Sequence, residues 1–267
     1  MTILQAAILG LVQGITEFLP ISSTAHLRLV PAVLSWPDGG AAFAAVIQLG
    51  TLLAVIGFFL RDLLRMIAAA AKPSTRSSLD ARMLGYIVVG TVPIGIVGIL
   101  ARHAIEGPLR SIAVIACSLI VVGIVMGVVE KTARHERPIE TITLRDALLV
   151  GCAQALALVP GTSRSGITLI AAMILGFRRD AAARFSFLLS IPAVAAAGIF
   201  ELPKLLRDRE VGTSAMLVGL ATAAISGYLS VAWLLRFLRT RTTYGFVVYR
   251  VIIGLVLIAA MLAGRLG

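Results

Sequence analysis

Two short stretches of the chain, GITEFLPISSTAHLR (Gly14 to Arg28) and PGTSRSG (Pro160 to Gly166), place proline, hydroxyl groups and charge inside long apolar regions. Those apolar regions cover residues 3–34 and 146–176. Each is split into halves of about 13 to 17 residues, and a helix needs about 20 to cross a bilayer. Backbone breaks at membrane depth occur only where protein or a wet cavity surrounds them. The pattern therefore predicts two re-entrant helical hairpins with a site at their tips.

The composition places the chain in the membrane. It has 267 residues, of which 59% are hydrophobic and 14% charged, whereas soluble domains carry about 25% charged residues. Cys117 and Cys152 show no metal-ligand spacing and are predicted to be packing residues. The predicted fold is an all-α polytopic membrane protein with two re-entrant hairpins and six transmembrane helices, near 41–60, 84–101, 111–129, 183–201, 215–235 and 246–264.

The two interrupted regions resemble each other. Gly10 and Gln13 match Gly151 and Gln154 at a common offset of 141 residues. Each hairpin is followed by three apolar runs, and an odd number of spans inverts the second copy relative to the first. Inverted repeats place a shared site near the bilayer midplane. Within one membrane domain, 1–267, the prediction is a first repeat over 1–129, a polar connector over 130–145 and a second repeat over 146–267.

Thr143 and Asp146 resemble a helix-capping box, in which a hydroxyl and an acid three residues later bond to each other's backbone N–H. This pair is predicted to begin the second repeat.

The net charge of +11 fits a membrane topology better than a nucleic-acid groove, because the basic residues lie in short loops. Sixteen of them, counting Arg250, fall on one predicted side. Six fall on the other: Arg102, Arg110, Lys204, Arg207, Arg209 and Arg265. The richer side is predicted to be cytoplasmic. Both termini and the opening of the first hairpin then face outward, and no nucleic-acid partner is expected.

Glu17 and Arg164 are the two charges predicted to lie deep in the membrane, one in each hairpin. An unpaired charge at the bilayer centre costs roughly 3 kcal/mol or more, so the two are expected to contact each other. The alternative is a purely structural ion pair, which leaves the neighbouring hydroxyls unexplained.

The second break has the features of a phosphate site. Helix N-termini attract phosphate through free N–H groups, and an arginine fork grips phosphate oxygens in bidentate fashion. Ordinary capping of a kinked helix is the alternative. The predicted substrate-binding residues around Arg164 are Gly161, Thr162, Ser163, Ser165 and Gly166.

The first break offers complementary chemistry. Glu17 follows Gln13 by one helical turn and is a candidate base or ligand for Mg²⁺. Ser23 is the first candidate nucleophile, with Ser22 or a direct attack by water as alternatives. His26 lies one turn beyond Ser23 and could accept the proton, or it could be a neutral hydrogen-bonding residue. Ser22 and Thr24 are also predicted to bind substrate.

Together these motifs resemble the undecaprenyl-diphosphate phosphatase family, which is known for bacitracin resistance. The family's acidic motif is matched by Gln13 and Glu17, its hydroxyl run by residues 22–24, its histidine by His26, and its arginine motif by residues 160–166. Many members have glutamate in place of Gln13, which leaves more of the chemistry to Glu17. Many also have glycine in place of Ala25.

The resemblance implies hydrolysis of undecaprenyl diphosphate in the bacterial inner membrane, so that the lipid carrier for cell-wall polymers is reused. It also implies a divalent metal, Mg²⁺ or Ca²⁺, which Glu17 and Gln13 are predicted to hold. The catalytic set is then Glu17, Ser23, His26 and Arg164, and the active site opens to the periplasmic side. Expected partners are the polyprenyl diphosphate and membrane lipids, with a homodimer left open.

A transporter is the competing hypothesis. Broken helices in inverted repeats are typical of alternating-access carriers, and the same anion site could move a polyprenyl phosphate across the bilayer. The Ser, His and Glu cluster favours the enzyme, because a carrier needs recognition but no nucleophile.

Overall fold

The computed structural model describes residues 1–36, 40–101, 103, 107, 109, 111–208 and 212–264. These residues form helices and no β-strand; a single isolated bridge joins Arg137 to Phe177. The α-helices of the described residues are α1 (Ile3–Phe18), α2 (Ser23–Leu34), α3 (Gly40–Phe58), α4 (Leu60–Ala71), α5 (Leu79–Leu100), α6 (Ile112–Thr132), α7 (Leu144–Ala155), α8 (Arg164–Ile174), α9 (Arg179–Asp208), α10 (Thr213–Leu238) and α11 (Tyr244–Leu262).

Five of these helices, α5, α6, α9, α10 and α11, are long and apolar enough to cross a membrane. The chain is therefore a multi-pass membrane protein, as its composition predicts. The span predicted near 41–60 forms α3, whose described side chains give a shorter apolar stretch over Val46–Phe58. Residues 60–71 form a separate amphipathic helix, α4, which was not predicted.

Both interrupted regions are helix pairs. The apolar region 3–34 forms α1 and α2. The region 146–176 forms α7 and α8, with a short 3₁₀ turn at Leu156–Leu158 after α7. The capping box at Thr143 is confirmed, because its hydroxyl accepts from the Asp146 N–H and the Asp146 carboxylate accepts from the Thr143 N–H.

Each hairpin packs its first helix against a helix from the other half of the chain. α1 lies along α10, and α7 lies along α5. Glycine makes both contacts close: a Cβ on Gly10 would lie 2.2 Å from the Gly219 carbonyl oxygen, and a Cβ on Gly151 would lie 2.2 Å from that of Gly90. α6 packs on α11, and α3 packs on α9 and α10. The two halves are thus interlocked.

The segment between the halves is fastened to the second hairpin. Arg137 forms an ion pair with Asp146 at 2.7 Å and donates to the Leu175 carbonyl at 2.9 Å. The Arg137 N–H also bonds to the Gly176 carbonyl. Because Arg137 reaches both ends of the α7–α8 pair, it fixes the connector against that hairpin.

Two expectations from the sequence are wrong. Cys117 and Cys152 are exposed on the outside of the helix bundle rather than packed within it. Arg250 was counted with the loop charges, but it lies inside α11 and is completely buried. Among the six basic residues predicted on the outer side, Arg102, Arg110, Arg209 and Arg265 lie outside the described residues.

Candidate active site

The tips of the two hairpins meet at a cleft of about 130 Å³. One wall is polar and the other, built from α5, α9 and the turn after α7, is apolar. The polar lining is Glu17, Ser22, Ser23, Thr24, Gln48, Gly161, Ser163 and Arg164; the apolar lining is Ile94, Ala157, Ala193, Val194 and Ala197. A cleft with one wall of each kind suits a ligand with a charged head and an apolar body.

Glu17 is the centre of the polar wall. Its Oε2 accepts hydrogen bonds from the Ser23 hydroxyl at 2.6 Å and from Gln13 Nε2 at 2.8 Å. Its Oε1 accepts from Arg164 Nη2 at 2.8 Å. The next residue, Phe18, packs edge-to-face on Phe187 of α9 with ring centroids 5.3 Å apart. The carboxylate is therefore held by three side chains, and its backbone is anchored in the core.

Arg164 completes the predicted link between the hairpins. Its Nη2 forms the ion pair with Glu17, and its Nη1 donates to the Ser190 carbonyl oxygen of α9 at 2.8 Å. The Arg164 side chain is 14% exposed, against 4% for Glu17. Both side chains line the cleft, and that of Arg164 is the more exposed of the two.

Both breaks contain a serine in the same strained backbone conformation. Ser22 and Ser163 each precede the first residue of the returning helix, and their φ angles are 74° and 71°. A residue other than glycine in this region costs on the order of 1–3 kcal/mol, and such strain is concentrated at functional sites. Ser163 Oγ caps its helix by accepting from the Gly166 N–H at 3.2 Å. Ser22 makes no side-chain capping bond.

Three predicted substrate-binding residues lie behind the cleft rather than in its lining. The Thr162 carbonyl accepts from Arg250 at 3.1 Å. Ser165 Oγ donates to the Leu19 carbonyl at 3.1 Å, so it joins the second hairpin to the first. Gly166 packs against Ser163 and Arg250. These residues support the polar wall of the cleft without lining it.

His26 is also absent from the cleft lining. Its Nδ1 lies 2.7 Å from the Ser22 carbonyl oxygen and its Nε2 lies 2.6 Å from the Tyr249 hydroxyl. A carbonyl only accepts, so Nδ1 carries the hydrogen, and in the neutral ring Nε2 accepts from Tyr249. The ring therefore holds the first break from behind, and the expected approach to Ser23 is not seen.

A metal ion would find few donors in the protein itself. Among the described residues, no group of three or more His, Cys, Asp or Glu side chains could hold one. Gln13 Oε1, however, is buried and has no hydrogen-bond partner within this part of the chain, one turn before Glu17. Mg²⁺ commonly takes one or two carboxylates and completes its shell with water and substrate phosphates. Glu17 and Gln13 fit that arrangement.

Sequence reasoning missed Ser190, Tyr249 and Arg250. The first two act through a backbone carbonyl and a single hydroxyl, and neither leaves a pattern in the sequence. Arg250 did leave a signal, because it lies within the apolar run 246–264.

Comparison with known proteins identifies the family of this chain. Residues 6–256 match the family model described as bacitracin resistance protein BacA. The chain is 50% identical to the undecaprenyl-diphosphatase of Myxococcus xanthus, over 100% of this chain and 91% of the relative. It is 49% identical to those of a Nocardioides species, covering 96% of each chain, and of Synechococcus elongatus, covering 98% and 94%. The chain therefore belongs to the bacitracin resistance protein BacA family.

Proposed function

We propose that this protein hydrolyses undecaprenyl diphosphate to undecaprenyl phosphate and inorganic phosphate. Its full-length relatives carry that activity in their names. The observation that carries the proposal is the 2.6 Å hydrogen bond from the Ser23 hydroxyl to the Glu17 carboxylate beside Arg164. The reaction recycles the lipid carrier for cell-wall synthesis and gives resistance to bacitracin.

The proposed arrangement in the membrane is six transmembrane helices and two re-entrant hairpins, α1–α2 and α7–α8, in an inverted repeat with the boundaries predicted above. Support comes from the reciprocal packing of α1 on α10 and of α7 on α5. The matching φ angles of Ser22 and Ser163, 141 residues apart, support it too. Each copy supplies one break to a shared site.

The proposed location is the bacterial inner membrane, with the cleft open to the periplasm. Fifteen basic residues still favour one side as cytoplasmic after Arg250 is removed from the original sixteen. Labelling of single cysteines at Arg76 and Arg207 in intact cells tests this, after the exposed Cys117 and Cys152 are replaced. Labelling at position 207 alone is expected. A homodimer stays a prediction, which the mass of the detergent-solubilised protein tests.

In the proposed mechanism, Glu17 Oε2 takes the proton of Ser23 Oγ as that oxygen attacks the outer phosphorus. The bond from phosphorus to the bridging oxygen breaks, and undecaprenyl phosphate leaves. A water oxygen then bonds to phosphorus, the bond from phosphorus to Ser23 Oγ breaks, and the proton on Glu17 returns to Ser23 Oγ. The protons of the attacking water leave with the inorganic phosphate. Ser22 is the alternative nucleophile. In a direct route, Glu17 would instead take the proton of an attacking water.

Arg164 and the α8 N-terminus are proposed to hold the transferred phosphoryl group. When Glu17 gains a proton its ion pair with Arg164 weakens, so the guanidinium charge becomes available as the bond breaks. His26 would assist proton transfer only after it leaves Ser22 or Tyr249, so its present contacts favour a supporting role. The apolar wall suits the first isoprene units of the tail.

A divalent cation, Mg²⁺ or Ca²⁺, is proposed to bind to Glu17 and Gln13 together with the diphosphate. When bound, it would neutralise phosphate charge and so favour attack by an oxygen nucleophile.

The decisive experiment measures phosphate release from undecaprenyl diphosphate by purified protein in detergent, with Mg²⁺ and with a chelator. Ser23→Ala is compared with Ser230→Ala, which removes another buried serine hydroxyl, one that bonds to the Ser226 carbonyl of α10. We expect metal-dependent release that Ser23→Ala abolishes and Ser230→Ala retains. Folded wild-type protein that binds the lipid but releases no phosphate would favour the carrier instead.

A further inference from the structure

Arg250 is a completely buried arginine whose guanidinium contacts neutral backbone carbonyls. Nη1 donates to the Pro20 carbonyl of the first break at 3.0 Å. Nη2 donates to the Gly161 and Thr162 carbonyls of the second break at 3.0 and 3.1 Å. Longer bonds of 3.3 Å reach the Ser118 and Leu119 carbonyls of α6. Within the described residues, no carboxylate forms an ion pair with it.

These contacts join both breaks through one rigid, planar group. The carbonyls of a broken helix have lost their helical partners and need other donors inside a membrane. Arg250 supplies those donors to both breaks at once. The returning helices begin at Ser23 and Arg164, only a few residues after the bonded carbonyls. The guanidinium therefore sets the distance between the tip that carries the proposed nucleophile, Ser23, and the tip that carries the anion-binding Arg164.

The charge of Arg250 also matters for the site. Glu17 and Arg164 form an ion pair, so their charges largely cancel in the absence of substrate. Arg250 adds a positive charge behind the N-termini of α2 and α8, which themselves favour anions. A diphosphate entering the cleft would meet this excess positive charge.

We infer that Arg250 is a positioning residue for phosphoryl transfer, an inference that rests on the proposed phosphatase function. It fixes Ser23 relative to Arg164 through the backbone of both breaks, and its charge favours the bound diphosphate. Lysine preserves the charge but offers a compact ammonium in place of the planar fork. The two contributions can therefore be separated by substitution.

The test is steady-state hydrolysis of undecaprenyl diphosphate by Arg250→Lys and Arg250→Gln, with melting temperatures measured alongside. A displacement of about 1 Å can cost about 100-fold in rate. We expect Arg250→Lys to lower kcat by about 10- to 100-fold with KM within about threefold of wild type. Arg250→Gln should lower kcat similarly and raise KM by about tenfold, because the charge is lost.

Arg184→Lys is the matched control for loss of an arginine fork. Arg184 is partly buried, forms an ion pair with Asp62 at 2.7 Å and lies over the Phe59 ring. This variant should leave kcat and KM nearly unchanged.

A second pair of variants covers the case in which Arg250 substitutions do not fold. A Cβ on Gly123 would lie 3.2 Å from the Arg250 Cβ, whereas a Cβ on Gly127, one turn later in α6, meets only Val247. Gly123→Ala therefore displaces Arg250 but keeps its charge and donors. We expect it to lower kcat by about threefold or more relative to Gly127→Ala.

Wild-type kcat in Arg250→Lys, or equal kcat in Gly123→Ala and Gly127→Ala, would overturn the inference while leaving the phosphatase function intact. The inference would also be overturned if the loss of kcat in these variants were explained entirely by a smaller fraction of folded protein. A wild-type protein that releases no phosphate would remove the proposed function itself.

Discussion

The two breaks end on serines with nearly the same backbone angle, and the helices that follow begin with opposite chemistry. Ser22 and Ser163 occupy the same strained conformation, and each is followed by the first residue of a returning helix. That residue is Ser23 in the first break and Arg164 in the second. One copy carries a nucleophile beside a carboxylate, and the other carries a cation. In the proposed repeat, different side chains at corresponding helix starts create an active site where the two copies meet.

The largest effects are expected from substitutions in the first break, which carries Glu17 and Ser23. We expect Ser23→Ala and Glu17→Gln each to lower kcat by about 10³-fold or more, and the double variant to lose little beyond that, because the two residues act as one unit. Only Glu17→Gln should also lower the melting temperature, since it leaves the buried Arg164 without its counter-ion. Phosphate release and thermal melting measure the two effects. Additive losses would mean that Glu17 does not act through Ser23.

In the second break, activity should depend on the planar shape of the Arg164 guanidinium as well as on its charge. Arg164→Lys keeps the charge but cannot bond to Glu17, Ser190 and a phosphate with the geometry of the fork. We expect kcat to fall by about 10²-fold. Arg65→Lys, at an exposed guanidinium on α4, is the control and should change nothing. Full turnover in Arg164→Lys would exclude a bidentate grip.

Gln13 has a hydrogen-bond partner, Glu17, that its counterpart Gln154 in the second hairpin lacks within the described residues. Gln13→Glu would replace the 2.8 Å hydrogen bond to Glu17 with two facing carboxylates. We expect a lower melting temperature without metal and a larger rise with Mg²⁺ than in wild type, roughly 2 to 4 °C for each kcal/mol of binding. Melting curves over a Mg²⁺ titration provide the measurement. An equal response in both proteins would contradict a metal site at these residues.

Gln154, the counterpart of Gln13, should show the smallest effect. It is completely buried, and both of its amide atoms are without a hydrogen-bond partner in the described part of the chain. Gln154→Leu removes this unsatisfied amide and should raise stability by about 1 kcal/mol with unchanged kcat. Gln13→Leu should instead lower kcat, because Glu17 loses a donor. Equal losses in both variants would mean that Gln154 also supports the reaction.

Much of this molecule could be predicted from its sequence because the membrane imposes simple rules. The two interrupted apolar regions became the two helix pairs, and the two deep charges formed the expected ion pair at 2.8 Å. Apolar length, proline position and the cost of an unpaired charge were sufficient for these predictions.

What was missed depends on packing that sequence spacing does not encode. His26 lies one turn from Ser23, yet its ring contacts Tyr249 from the far end of the chain. Arg250 was taken for a loop charge because it follows the start of its apolar run by only a few residues. Its role rests on backbone carbonyls, which carry no residue-specific signal.

The packing of α1 on α10 has a consequence for how the protein is made. During synthesis α1 precedes α10, the helix against which Gly10 packs, by about 200 residues. Glu17 likewise acquires its guanidinium partner only after the second hairpin has been translated. The ribosome must therefore synthesise the chain through α10 before the first hairpin can pack fully. A chain that stops before α10 would contain all the residues given above as lining the cleft but lack the helix against which α1 packs.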